Sequence, residues 1–158
     1  MPCNWLHFMS QDSFSDQQII DILSLRTVAV IGMSKHSSKA AHYVPKYLLD
    51  NGYDITPVNP NAEKILDISC YDSVSEIEGS VDIIDVFRPS EQFSTIIEDC
   101  IAKKPKVIWL QEGIHDFESE ELARKAGILV VFNRCMLAEH RRLGLWLWWF
   151  LSWFEWIS

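Results

Sequence analysis

The run Val28-Ala-Val-Ile-Gly32-Met-Ser34-Lys-His-Ser37-Ser-Lys39 leads from β-branched apolar residues into a loop with one glycine, several hydroxyls and two lysines. Hydroxyls, loop amides and ammonium groups all donate to phosphate oxygens, so this loop could hold a pyrophosphate. A dinucleotide turn of the form G-x-G-x-x-G would carry glycine at positions 32, 34 and 37, where this chain has Gly32, Ser34 and Ser37. In that fingerprint the second glycine lets backbone approach the pyrophosphate, and an acid ending the second strand takes the ribose hydroxyls. The second apolar strand here ends Val58-Asn59-Pro60, with no acid before Glu63. Both departures count against NAD. They favour a nucleotide with pyrophosphate and a further ribose phosphate, which the uncharged Asn59 does not repel and Lys35 and Lys39 attract.

These residues need a scaffold, and the apolar pattern supplies one. Thr27 to Ile31, Asp54 to Val58, Val81 to Phe87, Lys106 to Leu110 and Ile128 to Phe132 have the length and branching of buried strands. Between and before them lie helical stretches. Ser15 to Gln18 is a capping box, Gly52 stops a second helix, Ser90 is placed to cap a third that runs to about Lys103, and Glu118 to Lys125 ends at Gly127. Pro45 is expected in the first turn of its helix, which would carry the loop after Gly32 to about His42. Strands alternating with helices imply an α/β, doubly wound fold with a five-stranded parallel sheet, expected in the order 3-2-1-4-5.

In such a sheet, ligands sit beyond the carboxyl ends of the strands. The residues there are Gly32 to Lys39, then Asn59 and Pro60, Arg88 and Pro89, Gln111 and Gly113, and Arg134 and Cys135. The set is polar, partly basic and poor in acids. Arg88 either contacts phosphate or pairs with Asp85 or Glu91. Trp109, inside a strand, reads as core. Cys135 is either an inert thiol or a partner for a ligand thiol, and Arg134 beside it is a charge that could lower its pKa.

Taken together, Val28 to Ser34, Gly52 to Pro60, Asp85 to Pro89, Trp109 to Gly113, Asn133 to Cys135 and Glu139 to Arg142 resemble the small stand-alone CoA-binding proteins. That family is similar to the CoA-binding domain of succinyl-CoA synthetase. The resemblance spans roughly Phe14 to Leu143, and it implies a single Rossmann-like domain that binds coenzyme A or an acyl-CoA. Carried over, Gly32, Ser34, Ser37 and Lys39 form the pyrophosphate loop, Asn59 and Pro60 the nucleotide contacts, Arg88 and Pro89 the contacts after the third strand, and Gln111 and Gly113 the opposite wall. The ligase relatives carry a phosphorylated histidine on a second domain that this sequence lacks. The expectation is therefore a non-catalytic binding module, a carrier or sensor. A small NAD(P)-binding oxidoreductase and a CoA-responsive regulatory protein are the alternatives.

Composition narrows the classes further. A net charge of −8 over 158 residues disfavours nucleic acid as a partner, because that binding draws on clustered Lys and Arg. Cys3, Cys70, Cys100 and Cys135 show no C-x-x-C spacing, and the five histidines show no ligand spacing, so neither a metal site nor a disulfide framework is indicated. Reduced thiols fit a cytoplasmic protein. Residues 1–13 read as a leader without a secretory signal, 14–143 as the domain and 144–158 as an aromatic tail. The stretch Leu145 to Ile157 holds five of the seven tryptophans and is too short for a transmembrane segment of about 20 residues. Packing of the tail on the domain or on a second copy, forming a homo-oligomer, is the leading reading.

Overall fold

A computed structural model describes residues 14–147; the leader and residues 148–158 of the aromatic tail lie outside the described residues. The chain begins with helix α1 (Asp16–Leu23), and the capping box forms as its spacing predicts. The Ser15 hydroxyl accepts the Gln18 N–H, and the Gln18 side chain accepts the Ser15 N–H. Ile19, Ile22 and Leu23 are its buried face.

Strand β1 (Thr27–Ile31) follows, then α2 (Ala40–Asp50), β2 (Asp54–Val58), a two-residue hairpin β3 (Lys64–Ile65) and β4 (Ile68–Ser69), and β5 (Ile83–Val86). The remainder is α3 (Ser90–Phe93), α4 (Ile97–Ala102), β6 (Val107–Leu110), α5 (Phe117–Lys125), β7 (Leu129–Val131) and α6 (Met136–Arg142). Five strands form one parallel sheet in the order β2-β1-β5-β6-β7. Alternate residues feed two cores. Val28 and Val30 pack with α1, α2 and α6 on one face, while Ala29 and Ile31 pack with Phe93, Ile97 and Ala123 on the other. The fold is thus the expected doubly wound α/β sheet.

The strand order differs from the expected 3-2-1-4-5. Counting only the five sheet strands, it is 2-1-3-4-5, with the second strand at the edge. Pro57 gives the reason. Its carbonyl accepts the Tyr71 N–H from outside the sheet, and in an extended strand the N–H and C=O of one residue point the same way. The donor that proline lacks therefore falls on the open edge, where it costs no ladder bond. An interior β2 would have left an acceptor on its neighbour unpaired.

Two local departures bear on the site. Helix α2 starts at Ala40, which puts Pro45 in its interior instead of its first turn. After β5 the expected single helix is broken into α3 and α4, and Pro89, not Ser90, holds the N-cap position. The Ser90 hydroxyl instead accepts the His115 N–H, tying this loop to the one after β6.

Candidate ligand-binding cleft

From β1 the chain crosses to β2 on one side, and from β2 it returns past β1 to β5 on the other. The strand order reverses between β1 and β5, and a crevice opens there at the carboxyl ends. Gly32 follows β1 and Arg88 closely follows β5, and the two side by side form the floor of the opening. Gly32 donates its N–H to the Val58 carbonyl and has φ +81°. A Cβ there would stand 3.3 Å from Cδ and Nε of Arg88. The glycine is needed twice, for its left-handed backbone and because the arginine stem lies against it. Gly32→Ala is expected to lower stability by about 1–2 kcal/mol from the backbone conformation alone, measured by urea denaturation.

The cleft has two lobes that meet at Arg88 and Asn61. One, about 420 Å³, is polar and is lined by Ser34, Lys35, His36, Lys39 and Asn59. The other, about 440 Å³, is lined chiefly by Ile31, Val58, Val74 and Ile96, with Pro60 at its rim and Asp72 and Asp99 as its acids. Arg88 is half-buried between them. Among the described residues it has no hydrogen bond and no ion pair, so neither Asp85 nor Glu91 neutralises it.

The loop after β1 is tied down from two sides. Asn59 donates from Nδ2 to the Met33 carbonyl at 2.8 Å and accepts the Asn61 N–H at Oδ1, so this amide joins the loops after β1 and β2. The Ser34 N–H donates to the Ala41 carbonyl at 2.9 Å, the His42 Nδ1 stands 2.7 Å from the Ser34 carbonyl, and the Ser34 hydroxyl accepts the His36 N–H. Lys39 and Ala41, at the start of α2, line the polar lobe. Lys39 makes no side-chain cap, and among the described residues the Ala40 and Ala41 N–H groups have no internal acceptor. The amino end of this eleven-residue helix, with its partial positive charge, is thus presented to the lobe beside two lysines and Arg88.

Of the sequence-predicted residues, the cleft brings together Gly32, Ser34, Lys39, Asn59, Pro60 and Arg88. Ser37 and Pro89 are exposed and line neither lobe. Gln111, Gly113, Arg134 and Cys135 gather instead at the ends of β6 and β7. Gln111 is buried; its Nε2 donates to Asp85 at 2.7 Å and its Oε1 accepts the Met136 N–H. Gly113 donates its N–H to the Asn133 side chain, Arg134 pairs with Glu139 at 3.3 Å, and Cys135 stands at the N-cap of α6 and packs on the core. Trp109 is fully buried and donates its Nε1–H to the Arg134 carbonyl. Asn61 and, in the apolar lobe, Asp72, Ser73 and Val74 come from residues 59–81, a polar and mixed stretch whose composition alone marks it.

Among the described residues no group of three or more His, Cys, Asp or Glu could hold a metal ion, and no helix is long and apolar enough to cross a membrane. Residues 26–141 match the model of a CoA binding domain. The chain belongs to this CoA-binding domain family. It is 33% identical over 127 residues to the uncharacterized protein YneT of Bacillus subtilis, covering 80% of this chain and 94% of that one. A solved structure from Thermus thermophilus superimposes with a TM-score of 0.80 at 40% identity, covering 82% of this chain and 99% of its own. An ADP-forming acetate–CoA ligase of Archaeoglobus fulgidus is 34% identical over 122 residues. The match takes in 70% of this chain and only 18% of the ligase, so this CoA-binding domain corresponds to one part of the larger enzyme.

Proposed function

We propose that this CoA-binding domain holds coenzyme A or an acyl-CoA reversibly, without catalysing a reaction on it, as a carrier or sensor. One observation carries the reading: in a chain of net charge −8, the crevice at the strand-order reversal holds an arginine that has no partner among the described residues. An unneutralised, half-buried guanidinium between a lysine-lined lobe and an apolar one suits a ligand that is polyanionic at one part and aromatic at another. The pyrophosphate and ribose phosphate take Ser34, Lys35, Lys39 and the amino end of α2. The adenine takes the apolar lobe, and the pantetheine arm runs along the strand ends toward Gly113, Arg134 and Cys135. The free thiols Cys70, Cys100 and Cys135 suit a reducing cytoplasm.

Thermal unfolding with CoA, acetyl-CoA, NAD and NADP tests this reading. A ligand at a hundred times its dissociation constant adds about 2.7 kcal/mol, which raises the melting temperature measurably. CoA and acetyl-CoA are expected to stabilise the protein and NAD is not. Stabilisation by NAD with none from either CoA would overturn the assignment in favour of an oxidoreductase.

A further inference from the structure

We propose that Pro45 is a positioning residue for the loop of the polar lobe, acting through a hydrogen bond it does not itself make; only the effect on affinity rests on the CoA-binding reading. Inside an α-helix the N–H of each residue occupies the carbonyl four residues before it. Pro45 has no N–H, and its ring crowds the carbonyl of Ala41, so this one carbonyl is left out of the α2 ladder. The structure fills it with the N–H of Ser34, at 2.9 Å. The next residue of the same helix grips the other side of Ser34. His42 lies 2.7 Å from the Ser34 carbonyl through Nδ1, and since a carbonyl only accepts, Nδ1 carries the proton.

Ser34 is therefore held at its N–H by residue 41 and at its C=O by residue 42, both on the first turn of α2. The peptide before it is fixed as well, because Met33 is fully buried and its carbonyl is occupied by Asn59. Lys35 leaves a backbone that cannot swing, and Lys39 sits at the N-cap of the helix that does the holding. A loop fixed before the ligand arrives does not have to be ordered on binding, and this is where affinity is gained. The buried proline thus has a role in the site although its own ring lines neither lobe.

Pro45→Ala in the full chain restores an N–H that competes for the Ala41 carbonyl. Amide exchange by NMR and calorimetric titration with CoA read the two consequences. Ser34 exchange is expected to accelerate about tenfold, the size of one lost hydrogen bond, and CoA affinity to fall severalfold. The helical circular dichroism should not fall. Unchanged Ser34 exchange would overturn the proposal, and so would faster exchange with undiminished CoA affinity. Should Pro45→Ala not fold, His42→Ala releases the same peptide from its carbonyl side and must loosen Ser34 and lower affinity together. If wild type and variant both fail to bind CoA while Ser34 exchange still rises, the positioning of the loop by Pro45 stands and the CoA reading alone falls.

Discussion

Arg88→Met is expected to weaken CoA binding by roughly 10- to 100-fold, the value of a charge-assisted hydrogen bond of about 1.5–3 kcal/mol, while barely changing stability. The separation of the two effects follows from the geometry. Among the described residues Arg88 has no acceptor, so its removal orphans no carboxylate there, and the methionine keeps an unbranched stem beside Gly32. Paired arginines such as Arg142, which bridges Asp16 and Glu139 at 2.8 Å each, would lose contacts in the free protein as well. Arg88→Lys should recover part of the affinity, since an ammonium keeps the charge and loses the planar fork. Titration calorimetry at two salt concentrations, beside a urea melt of each variant, checks the prediction. Equal CoA affinity in wild type and Arg88→Met would remove this residue from the site.

Asp85→Asn is expected to abolish a loss of stability that the wild-type protein suffers between about pH 4 and pH 7. Asp85 lies in the middle of the sheet with no exposed surface, paired in register with Val30 and Trp109. Its Oδ1 accepts from Gln111, and its Oδ2 has no partner among the described residues. Burial pushes its carboxyl from the ordinary 3.8 up to about 7, and the Gln111 hydrogen bond pulls the other way without prevailing. Between those values the native state keeps a proton that the unfolded chain has already released. Stability is therefore greatest below the unfolded value, declines as pH rises through the window, and carries its full penalty above the native value. A shift from 3.8 to about 7 corresponds to roughly 4 kcal/mol. Asparagine accepts from Gln111 in the same way and has no charge to bury. Urea midpoints at pH 4, 5.5, 7 and 8 should move in favour of the variant as pH rises, and parallel curves would mean that Asp85 is not titrating as described.

The same pair explains why part of the site is hidden in the sequence. Gln111 follows a strand, as ligand-contacting residues do in this architecture, but a buried acid on the neighbouring strand takes its donor and the start of α6 takes its acceptor. Nothing in the local run Trp109-Leu-Gln111 announces a partner 26 residues away. Asn59 is the converse case. Its position at the end of β2 is legible, and it does line the polar lobe, yet its amide also joins two loops. Pro45 is legible as a restraint on a helix. Its effect on Ser34 depends on how α2 lies against the loop after β1.

By itself the sequence determined the five strands of the parallel sheet, though not the β3–β4 hairpin, their alternation with helices, the capping box at Ser15, the lysine-bearing loop after β1 and the family. Each is written in short-range pattern: branching, spacing, or the residue type at a strand end. It even carried, in Pro57, the mark of an edge strand. Only the tertiary structure decided that β5 pairs with β1, and so where the crevice opens, that Arg88 stands in it without an ion pair among the described residues, and which polar residues are consumed by one another. Strand neighbours and side-chain partners are chosen among segments far apart in the chain, by complementary faces and unfilled hydrogen bonds, and local periodicity does not record that choice.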